Sequence, residues 1–242
     1  MRGLLSTGWR RPMLVVVAVI LFVLAVTTTS TMPARFDVTP IAKSDVDSRL
    51  EASTASLISL GCDLSLDSGT GVAVSGDVVI TNRHVADRFR TLNLVYDATP
   101  SRQLAPGLVG IDQGNDVAVL RTGHLGLTPL ALANTDPRPG EDVWISGYAH
   151  ELGPDSLADG LVVAPAHVVR YESGADSGQQ RRVMRVDVPV RPGMSGGAVL
   201  DQSGRLGGIV FAVDGPTNQG LVIPASTIRQ VLGQQLPSAA GC

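Results

Sequence analysis

The segment RPGMSGGAVLD, residues 191–201, sets Ser195 among three glycines and directly ahead of a short apolar run. Two interpretations are open. The segment is either a glycine-rich turn between two strands or a loop whose glycines let backbone amides approach a reacting carbonyl group. The sequence on either side of it bears on the choice.

The chain around this segment alternates short apolar runs with Gly, Asp and Pro, a pattern typical of antiparallel strands in a barrel or sandwich. Residues 70–81, TGVAVSGDVVIT, predict two strands joined by a two-residue turn at Gly76 and Asp77. Only residues 225–236, ASTIRQVLGQQL, have helical spacing, and Ser226 is placed to cap that helix. The pattern therefore predicts an all-β domain that ends in a helix.

The composition limits the class of function. With 242 residues, 44% of them hydrophobic, the chain can bury one sizeable core or two small ones. The net charge of -3 offers no basic surface to a nucleic acid, and the aromatic content of 4% leaves little for base stacking. We therefore expect no nucleic-acid partner.

Residues 1–32 carry three arginines followed by an uninterrupted apolar run, residues 13–26. Positively charged flanks stay in the cytoplasm, so the sequence predicts that the following domain is exported. The apolar run has the length of the hydrophobic region of a signal peptide, and adding residues 27–32 brings it to the length of a membrane-spanning helix. We expect an uncleaved single-pass anchor in the cell membrane; the alternative is a cleaved signal and a secreted protein.

Residues 33–56 mix Pro, Asp, Ser and Ala without a strong apolar face. This composition predicts a tether, with a short helix over residues 44–54. The globular domain is then expected over residues 57–242.

A serine hydroxyl is a poor nucleophile at neutral pH, so it needs a base within hydrogen-bonding reach and a third group that orients the base. Of the four histidines, His84 lies where a predicted strand ends and a helical turn begins, which would expose its ring to a cleft. His124 and His150 fall in predicted loops, and His167 falls in a predicted strand. His84 is therefore the candidate base.

Asp116 stands at the start of an apolar strand in the segment QGNDVAVLR. An unpaired charge would be costly to bury there, so a partner is expected. The alternative is a turn aspartate that caps the bend at Gly114 and Asn115.

Three segments together resemble the motifs of a known family: TNRHV at 81–85, NDVAVL at 115–120 and GMSGGAVL at 193–200. Their order and separations are similar to those of the His, Asp and Ser motifs of trypsin-like (chymotrypsin-fold) serine proteases, especially the bacterial stress-response branch. The resemblance covers roughly residues 57–236. It implies two six-stranded antiparallel β-barrels and a C-terminal helix, with the active site between the barrels.

The resemblance also implies the roles of the site residues. His84 would act as the base, Asp116 as its orienting carboxylate and Ser195 as the nucleophile. The amides of Gly193 and Ser195 would form the oxyanion hole. The G-x-S-x-G elbow of α/β-hydrolases also matches this segment, but that fold needs a histidine after the serine and none follows Ser195.

The layout is closer still to the periplasmic domain of mycobacterial membrane-anchored acid-resistance serine proteases. Those relatives pair equivalent cysteines, which implies a disulfide between Cys62 and Cys242. Without the resemblance, the alternative is that the two cysteines are free thiols or form intermolecular disulfides. The relatives also carry several transmembrane helices, whereas one is expected here, so their physiological role is not transferred.

Met194 departs from the commonest family pattern, in which an aspartate pairs with a newly cut N-terminus. Methionine cannot form that ion pair. Either packing holds the oxyanion loop without proteolytic activation, or the loop is ordered only by substrate or a partner.

Substrate preference is predicted from position within the family pattern. Pro189, followed by Val190, stands where trypsin has an aspartate at the floor of its specificity pocket, so no preference for Lys or Arg is expected. Phe211, Ala212 and Val213 are expected to pair with the substrate backbone, and Val213 replaces a glycine at the pocket mouth. The resulting narrow pocket favours small or medium apolar residues. The alternative is that these three residues belong to the core.

The expected function is that of an exported, membrane-tethered serine endopeptidase acting on proteins or peptides. No cofactor or metal is expected, because the cysteines lack a C-x-x-C pattern and the histidines are dispersed. The alternatives are a pseudoprotease that binds peptides in the cell envelope, and an esterase that uses the same site. The oligomeric state is left open.

Overall fold

A curved antiparallel sheet of seven strands forms the N-terminal half of the domain in the computed structural model, which describes residues 40–87, 89–95, 103–105, 107–123, 126–149, 160–176, 179–238 and 242. Its strands are β1 (Thr54–Gly61), β2 (Leu66–Ser75), β3 (Val78–Asn82), β4 (Phe89–Val95), β5 (Gln103–Leu104), β6 (Leu108–Asp112) and β7 (Val117–Arg121). They lie in the order β5-β4-β1-β2-β3-β7-β6. Because the edge strands β5 and β6 follow each other directly in the chain, the sheet curls back on itself.

Six antiparallel strands of the C-terminal half close into a barrel. They are β8 (Asp142–Tyr148), β9 (Leu161–Asp176), β10 (Gln179–Val186), β11 (Ala198–Leu200), β12 (Leu206–Asp214) and β13 (Gln219–Pro224). The barrel order is β10-β13-β12-β11-β8-β9. The all-β, chymotrypsin-like fold is confirmed, but in the described residues only the C-terminal half closes into the expected six-stranded barrel; the first half is a sheet with the two-residue β5 as a seventh strand.

Three helices accompany the strands in the described part of the chain: α1 (Lys43–Ser53), α2 (Arg83–Ala86) and α3 (Ala225–Leu232). The turn at Gly76 and Asp77 joins β2 to β3 as predicted. None of the helices in the described ranges is long and apolar enough to cross a membrane. Residues 1–32, where the anchor is expected, lie outside those ranges.

Helix α1 differs from the expected tether. Its Val46 and Leu50 are fully buried, and both belong to the core cluster that also contains Ile209 of the barrel. Arg49 donates through Nη1 to the carbonyl of Gly204 at 3.2 Å. The helix itself was predicted, but its packing was missed because only two apolar residues, four apart, face the core.

The C-terminal helix α3 is shorter than predicted and ends at Leu232. Ser226 does not cap it. Instead its amide and hydroxyl donate to the carboxylate of Asp136, at 2.8 and 2.7 Å, and Arg182 contacts the same carboxylate at 2.6 Å. Asp136, ninety residues earlier in the chain, therefore satisfies an amide of the first turn of α3.

We expect the contact of Asp136 with α3 to stabilise the fold in a pH-dependent manner. Burial would raise the pKa of Asp136, but hydrogen bonds from Arg182 and Ser226 outweigh it and hold the pKa below its ordinary value. The stabilisation is therefore present above the ordinary pKa and is lost as the pH falls through the lowered one. Asp136→Asn should reduce the free energy of unfolding by about 1 kcal/mol at pH 7 and by less at pH 3, measured by urea denaturation.

Asp77→Asn is the control, because the ion pair of Asp77 with Arg121 is long, at 3.7 Å, and exposed, and such pairs contribute little. The prediction would be contradicted if the difference in the free energy of unfolding between Asp136→Asn and the unmutated protein stayed the same or grew on acidification.

The structure joins Cys62 and Cys242 in a disulfide with a Cα–Cα distance of 5.5 Å. The bond links the end of the β1 region to the last residue of the chain across a sequence separation of 180. The pairing implied by the family resemblance is therefore present.

Reduction of this disulfide is expected to destabilise the domain strongly. Chain-entropy arguments give about 5 kcal/mol for so long a closed loop, as an upper value. Urea denaturation with and without reductant measures the difference in the free energy of unfolding. The control is the double variant Cys62→Ser, Cys242→Ser, whose free energy of unfolding should not change when reductant is added. Equal midpoints for the unmutated protein under both conditions would contradict the prediction.

Candidate active site

His84 and Asp116 are in direct contact. His84 lies in the one-turn helix α2 after β3, and its Nδ1 is 2.7 Å from Oδ2 of Asp116. The backbone amide of His84 donates to the other carboxylate oxygen at 3.2 Å. The side chain of Asp116 is 1% exposed, whereas that of His84 is 42% exposed. A proton held at Nδ1 by the carboxylate leaves Nε2 free to accept another from the open side.

The turn that carries Asp116 connects β6 to β7. Asp116 has a φ of 57°, in the left-handed region where aspartate is tolerated better than most residues. Its carbonyl accepts the amide of Arg83 at 3.0 Å and Nδ2 of Asn82 at 3.2 Å. The bend at Asn115 is capped by Asp112, whose carboxylate accepts the Asn115 amide at 2.8 Å. The carboxylate of Asp116 is therefore not needed for capping and faces His84.

Arg83 supplies positive charge beside the buried carboxylate. Its Nε lies 3.4 Å from Oδ1 of Asp116, an ion pair without hydrogen-bond geometry, and its Nη1 lies 3.0 Å from Asp87. A buried carboxylate without such a partner would be costly. The guanidinium and the imidazole therefore approach Asp116 through different oxygens.

The loop around Ser195 consists of two consecutive β-turns. The carbonyl of Arg191 accepts the amide of Met194 at 3.1 Å, and the carbonyl of Met194 accepts the amide of Gly197 at 2.9 Å. The third residue of each turn, Gly193 and Gly196, has a φ of 86°. A positive φ at this position defines a type II turn and favours glycine. Two of the three glycines around the serine are thus required by turn geometry.

Thr70 of β2 fastens this loop to the first half of the domain. Its amide donates to the carbonyl of Ser195 at 2.7 Å, and its hydroxyl donates to the carbonyl of Gly193 at 3.0 Å. The same hydroxyl accepts the amide of Tyr148 at 2.8 Å. Thr70 is fully buried and was not identified from the sequence, where it is one of four polar residues in β2 and nothing distinguishes it from the others.

Gly69 marks the point where the serine loop and the histidine helix approach each other. A Cβ atom at Gly69 would lie 2.5 Å from Cγ1 of Val85, the residue after His84, and 3.1 Å from the carbonyl oxygen of Ser195. The ring of Phe211 lies edge-on to the His84 ring, with centroids 6.4 Å apart. The fold therefore brings the segments of His84, Asp116 and Ser195 to one place between the two halves.

The amides of Gly193 and Ser195 donate to no backbone carbonyl among the residues that the structure describes. Met194 between them is 2% exposed and packs in the barrel core, and its sulfur accepts the amide of Arg191 at 3.4 Å. Met194 thus makes the packing contacts that the first of the two alternatives, a loop held without proteolytic activation, requires.

The residues expected to bind substrate differ in their exposure to solvent. Phe211 is 4% exposed and unpaired, because the register of β12 and β13 shifts between Val210 and Ala212. Its side chain therefore belongs to the core, as the alternative interpretation had it. Val213 is 43% exposed, while Pro189 is also exposed.

Gly220 is a close neighbour of the half-buried Val190. A Cβ at Gly220 would lie 2.8 Å from Cγ2 of Val190 and 2.9 Å from Cγ2 of Val186. The side chains nearest to Gly220 are therefore aliphatic.

Arg185 forms ion pairs with two acidic side chains, Asp214 and Glu172, and its own side chain is 6% exposed. Its Nη1 lies 2.9 Å from Asp214, and its Nη2 contacts Glu172. The Thr217 hydroxyl and Arg185 hold the pKa of Asp214 below its ordinary value, and a hydrogen bond from Arg185 does the same for Glu172. Both carboxylates are thus charged and already partnered.

The other sequence candidates lie elsewhere. His167 pairs with Asp142 on the surface, where both side chains are more than half exposed, whereas His124 and His150 fall outside the described residues. In the parts of the chain that the structure describes, no group of three or more His, Cys, Asp or Glu side chains is placed to hold a metal ion.

Fold and site together define a trypsin-like serine peptidase domain. The chain belongs to the family of trypsin-like peptidase domains, whose model matches residues 69–209, more than half of the chain. This confirms the resemblance stated for the three motifs.

Individual relatives agree with this class. The serine protease Rv3671c of Mycobacterium tuberculosis strain H37Rv is 28% identical over 231 residues, covering 87% of this chain and 56% of that protein. The periplasmic serine endoprotease DegP of Escherichia coli K12 is 26% identical over 176 residues, covering 69% of this chain and 35% of that protein. The chain thus spans about a third to a half of the length of these relatives.

Solved structures show the same fold. The crystal structure of the active form of the Rv3671c protease has a TM-score of 0.71 and 25% identity, covering 87% of this chain and 95% of that chain. The HtrA-type protease AlgW with a tripeptide has a TM-score of 0.67 at 23% identity, covering 79% of this chain and 62% of that chain.

Proposed function

We propose that this protein is a serine endopeptidase in which His84, Asp116 and Ser195 form the catalytic triad. The observation that carries the proposal is the 2.7 Å contact between His84 and a carboxylate that is 1% exposed, beside a serine loop anchored by Thr70. A buried carboxylate on one side of an exposed imidazole is the arrangement that a general base for a hydroxyl nucleophile requires.

The reaction begins when Ser195 Oγ attacks the carbonyl carbon of a peptide bond and its proton passes to Nε2 of His84. The carbonyl oxygen becomes an oxyanion, which the amides of Gly193 and Ser195 bind; each such donor stabilises the transition state by about 3 kcal/mol. Asp116 stabilises the imidazolium through Nδ1.

Collapse of this intermediate breaks the C–N bond, and His84 gives its proton to the leaving amine. Water then attacks the acyl-enzyme, losing a proton to His84, and the hydroxyl of Ser195 is restored. Neither step requires a cofactor or a metal, and none is proposed.

For the substrate, we propose a preference for small or medium apolar residues on the amino side of the scissile bond. Support comes from the apolar neighbourhood of Val190 and Gly220 and from Val213 at the surface beside it. Asp214 and Glu172 are engaged by Arg185, so they offer no free carboxylate to a basic side chain.

A peptide library that varies only this residue tests the preference. We expect kcat/KM to be at least about tenfold higher for Ala, Val or Leu than for Lys or Arg. Val213→Gly should raise the relative rate for larger residues, whereas Val169→Gly, at another exposed valine, should not. A maximum at Lys or Arg would contradict the proposed pocket.

We propose that the catalytic domain acts outside the cytoplasm, anchored in the cell membrane by the apolar segment within residues 1–32. The disulfide between Cys62 and Cys242 supports an oxidising compartment, and several relatives are named as periplasmic proteases. Retention of the chain in membranes after an alkaline wash tests the anchor; a chain that starts after residue 32 in the culture medium would instead indicate a cleaved signal.

A further inference from the structure

His84 and Asp116 belong to a closed series of contacts that also includes Phe211, Arg181 and Gly114. The ring of Phe211 lies edge-on to His84, and the guanidinium carbon of Arg181 lies 4.7 Å from the centroid of Phe211. Arg181 Nε donates to the carbonyl of Gly114 at 3.2 Å, two residues before Asp116. The series then returns to His84 through its contact with Asp116.

Arg181 belongs to the barrel strand β10, whereas Gly114 belongs to the first half of the domain. Alternation along the strand places Arg181 on the same face as Val183, which is buried in the core cluster that also contains Val72 of β2. Arg181 is only 5% exposed. An arginine is rarely buried to this degree, because removing its charge from water is costly.

His84 depends on its neighbours for its orientation. It stands on a single helical turn, and its side chain is 42% exposed. Phe211 lies against its ring, and Arg181 covers the aromatic ring of Phe211 in turn. A cation over an aromatic face is attracted to it, and more strongly when both are removed from water. The same guanidinium also holds the turn that carries the carboxylate partner of His84.

We propose that Arg181 is a positioning residue that keeps His84 and Asp116 aligned, acting through Phe211 and through the carbonyl of Gly114. Its effect on catalysis rests on the proposed endopeptidase function. Loss of the guanidinium removes one contact from Phe211 and one from the turn that carries Asp116. A displacement of about 1 Å at the base lowers catalysis by about 10²-fold.

Arg181→Met, which keeps the length of the side chain and removes the charge, tests this proposal. We expect kcat to fall by about 10²-fold with KM unchanged, since the alignment matters for the transition state and not for substrate binding. Arg182→Met is the matched control. Arg182 is the next residue on the same strand but is exposed, contacting Asp136 and stacking on Tyr171 at 4.0 Å, so its loss should leave kcat unchanged.

Arg181→Lys keeps the positive charge of the side chain but removes the planar shape of the guanidinium, so it distinguishes the effects of the two. An ammonium group lacks the planar fork that covers a ring while donating to a carbonyl, so we expect kcat to lie between the unmutated protein and Arg181→Met. Should Arg181→Met fail to fold, Arg181→Lys decides: a lowered kcat at unchanged KM supports the proposal, and unmutated values contradict it.

The proton NMR resonance of His84 Nδ1–H, assigned by its absence in His84→Gln, gives a readout that does not depend on turnover. We expect it to be observed in the unmutated protein and in Arg182→Met, and to broaden or vanish in Arg181→Met. A chain that is inert toward peptides would contradict the proposed function while leaving this test valid. An unchanged resonance with unchanged kcat in Arg181→Met, or an activity loss matched by Arg182→Met, would overturn the role of Arg181.

Discussion

Replacing Ser195 with alanine is expected to lower kcat by about 10⁶-fold. The variant lacks the only atom that can form the acyl-enzyme, and the backbone turns that order the loop do not use the hydroxyl. Both turns and both contacts with Thr70 are made by main-chain atoms of the loop. Steady-state hydrolysis of a peptide substrate measures the loss, and thermal denaturation should show an unchanged Tm.

Ser48→Ala serves as the control, because Ser48 lies on the exposed side of α1, where its hydroxyl donates to the carbonyl of Ser44. Its kcat should equal that of the unmutated chain. Hydrolysis by Ser195→Ala at the unmutated rate would remove Ser195 from the mechanism.

Asp116→Asn should lower kcat by about 10⁴-fold. The amide of asparagine can donate to Nδ1 of His84, which reverses the tautomer and leaves a proton on Nε2. The imidazole then cannot accept the proton of Ser195. The variant keeps the size of the side chain, so the loss should appear in kcat and not in the free energy of unfolding alone.

Asp112→Asn is the matched control on the same turn. Asparagine retains the Oδ1 atom that accepts the amide of Asn115 and loses only the acceptor of the Asn115 side-chain amide, while the amide and Nδ1 of His84 both contact Asp116. Its kcat is expected to stay close to that of the unmutated chain. Equal losses in the Asp112 and Asp116 variants would indicate that the turn, and not the carboxylate of Asp116, supports catalysis.

Features governed by short-range rules could be predicted from the sequence. The turn at Gly76 and Asp77 and the apolar runs of the barrel follow from alternation and turn chemistry over a few residues. The segment around Ser195 is of the same kind, since Pro192 followed by Gly193 is the preferred pair for a type II turn.

Features that depend on residues far apart in the chain could not be predicted in this way. Thr70 binds the serine loop more than 120 positions away, and Arg181 reaches Gly114 across 67 positions. Neither contact has a local pattern that would reveal it. The burial of the Phe211 side chain could not be predicted either, because Phe211 lies where the register of β12 and β13 shifts, and the position of such a bulge depends on the neighbouring strand.

Reaction with a fluorophosphonate tests the central claim most directly, since only a serine activated by a base beside a formed oxyanion hole is rapidly phosphonylated. The 242-residue chain, purified without reductant, is treated and then analysed by peptide mass spectrometry. We predict a single adduct on Ser195 that is absent in the His84→Gln variant. No adduct on folded protein whose Cys62–Cys242 disulfide is intact would contradict the assignment of Ser195 as an activated nucleophile.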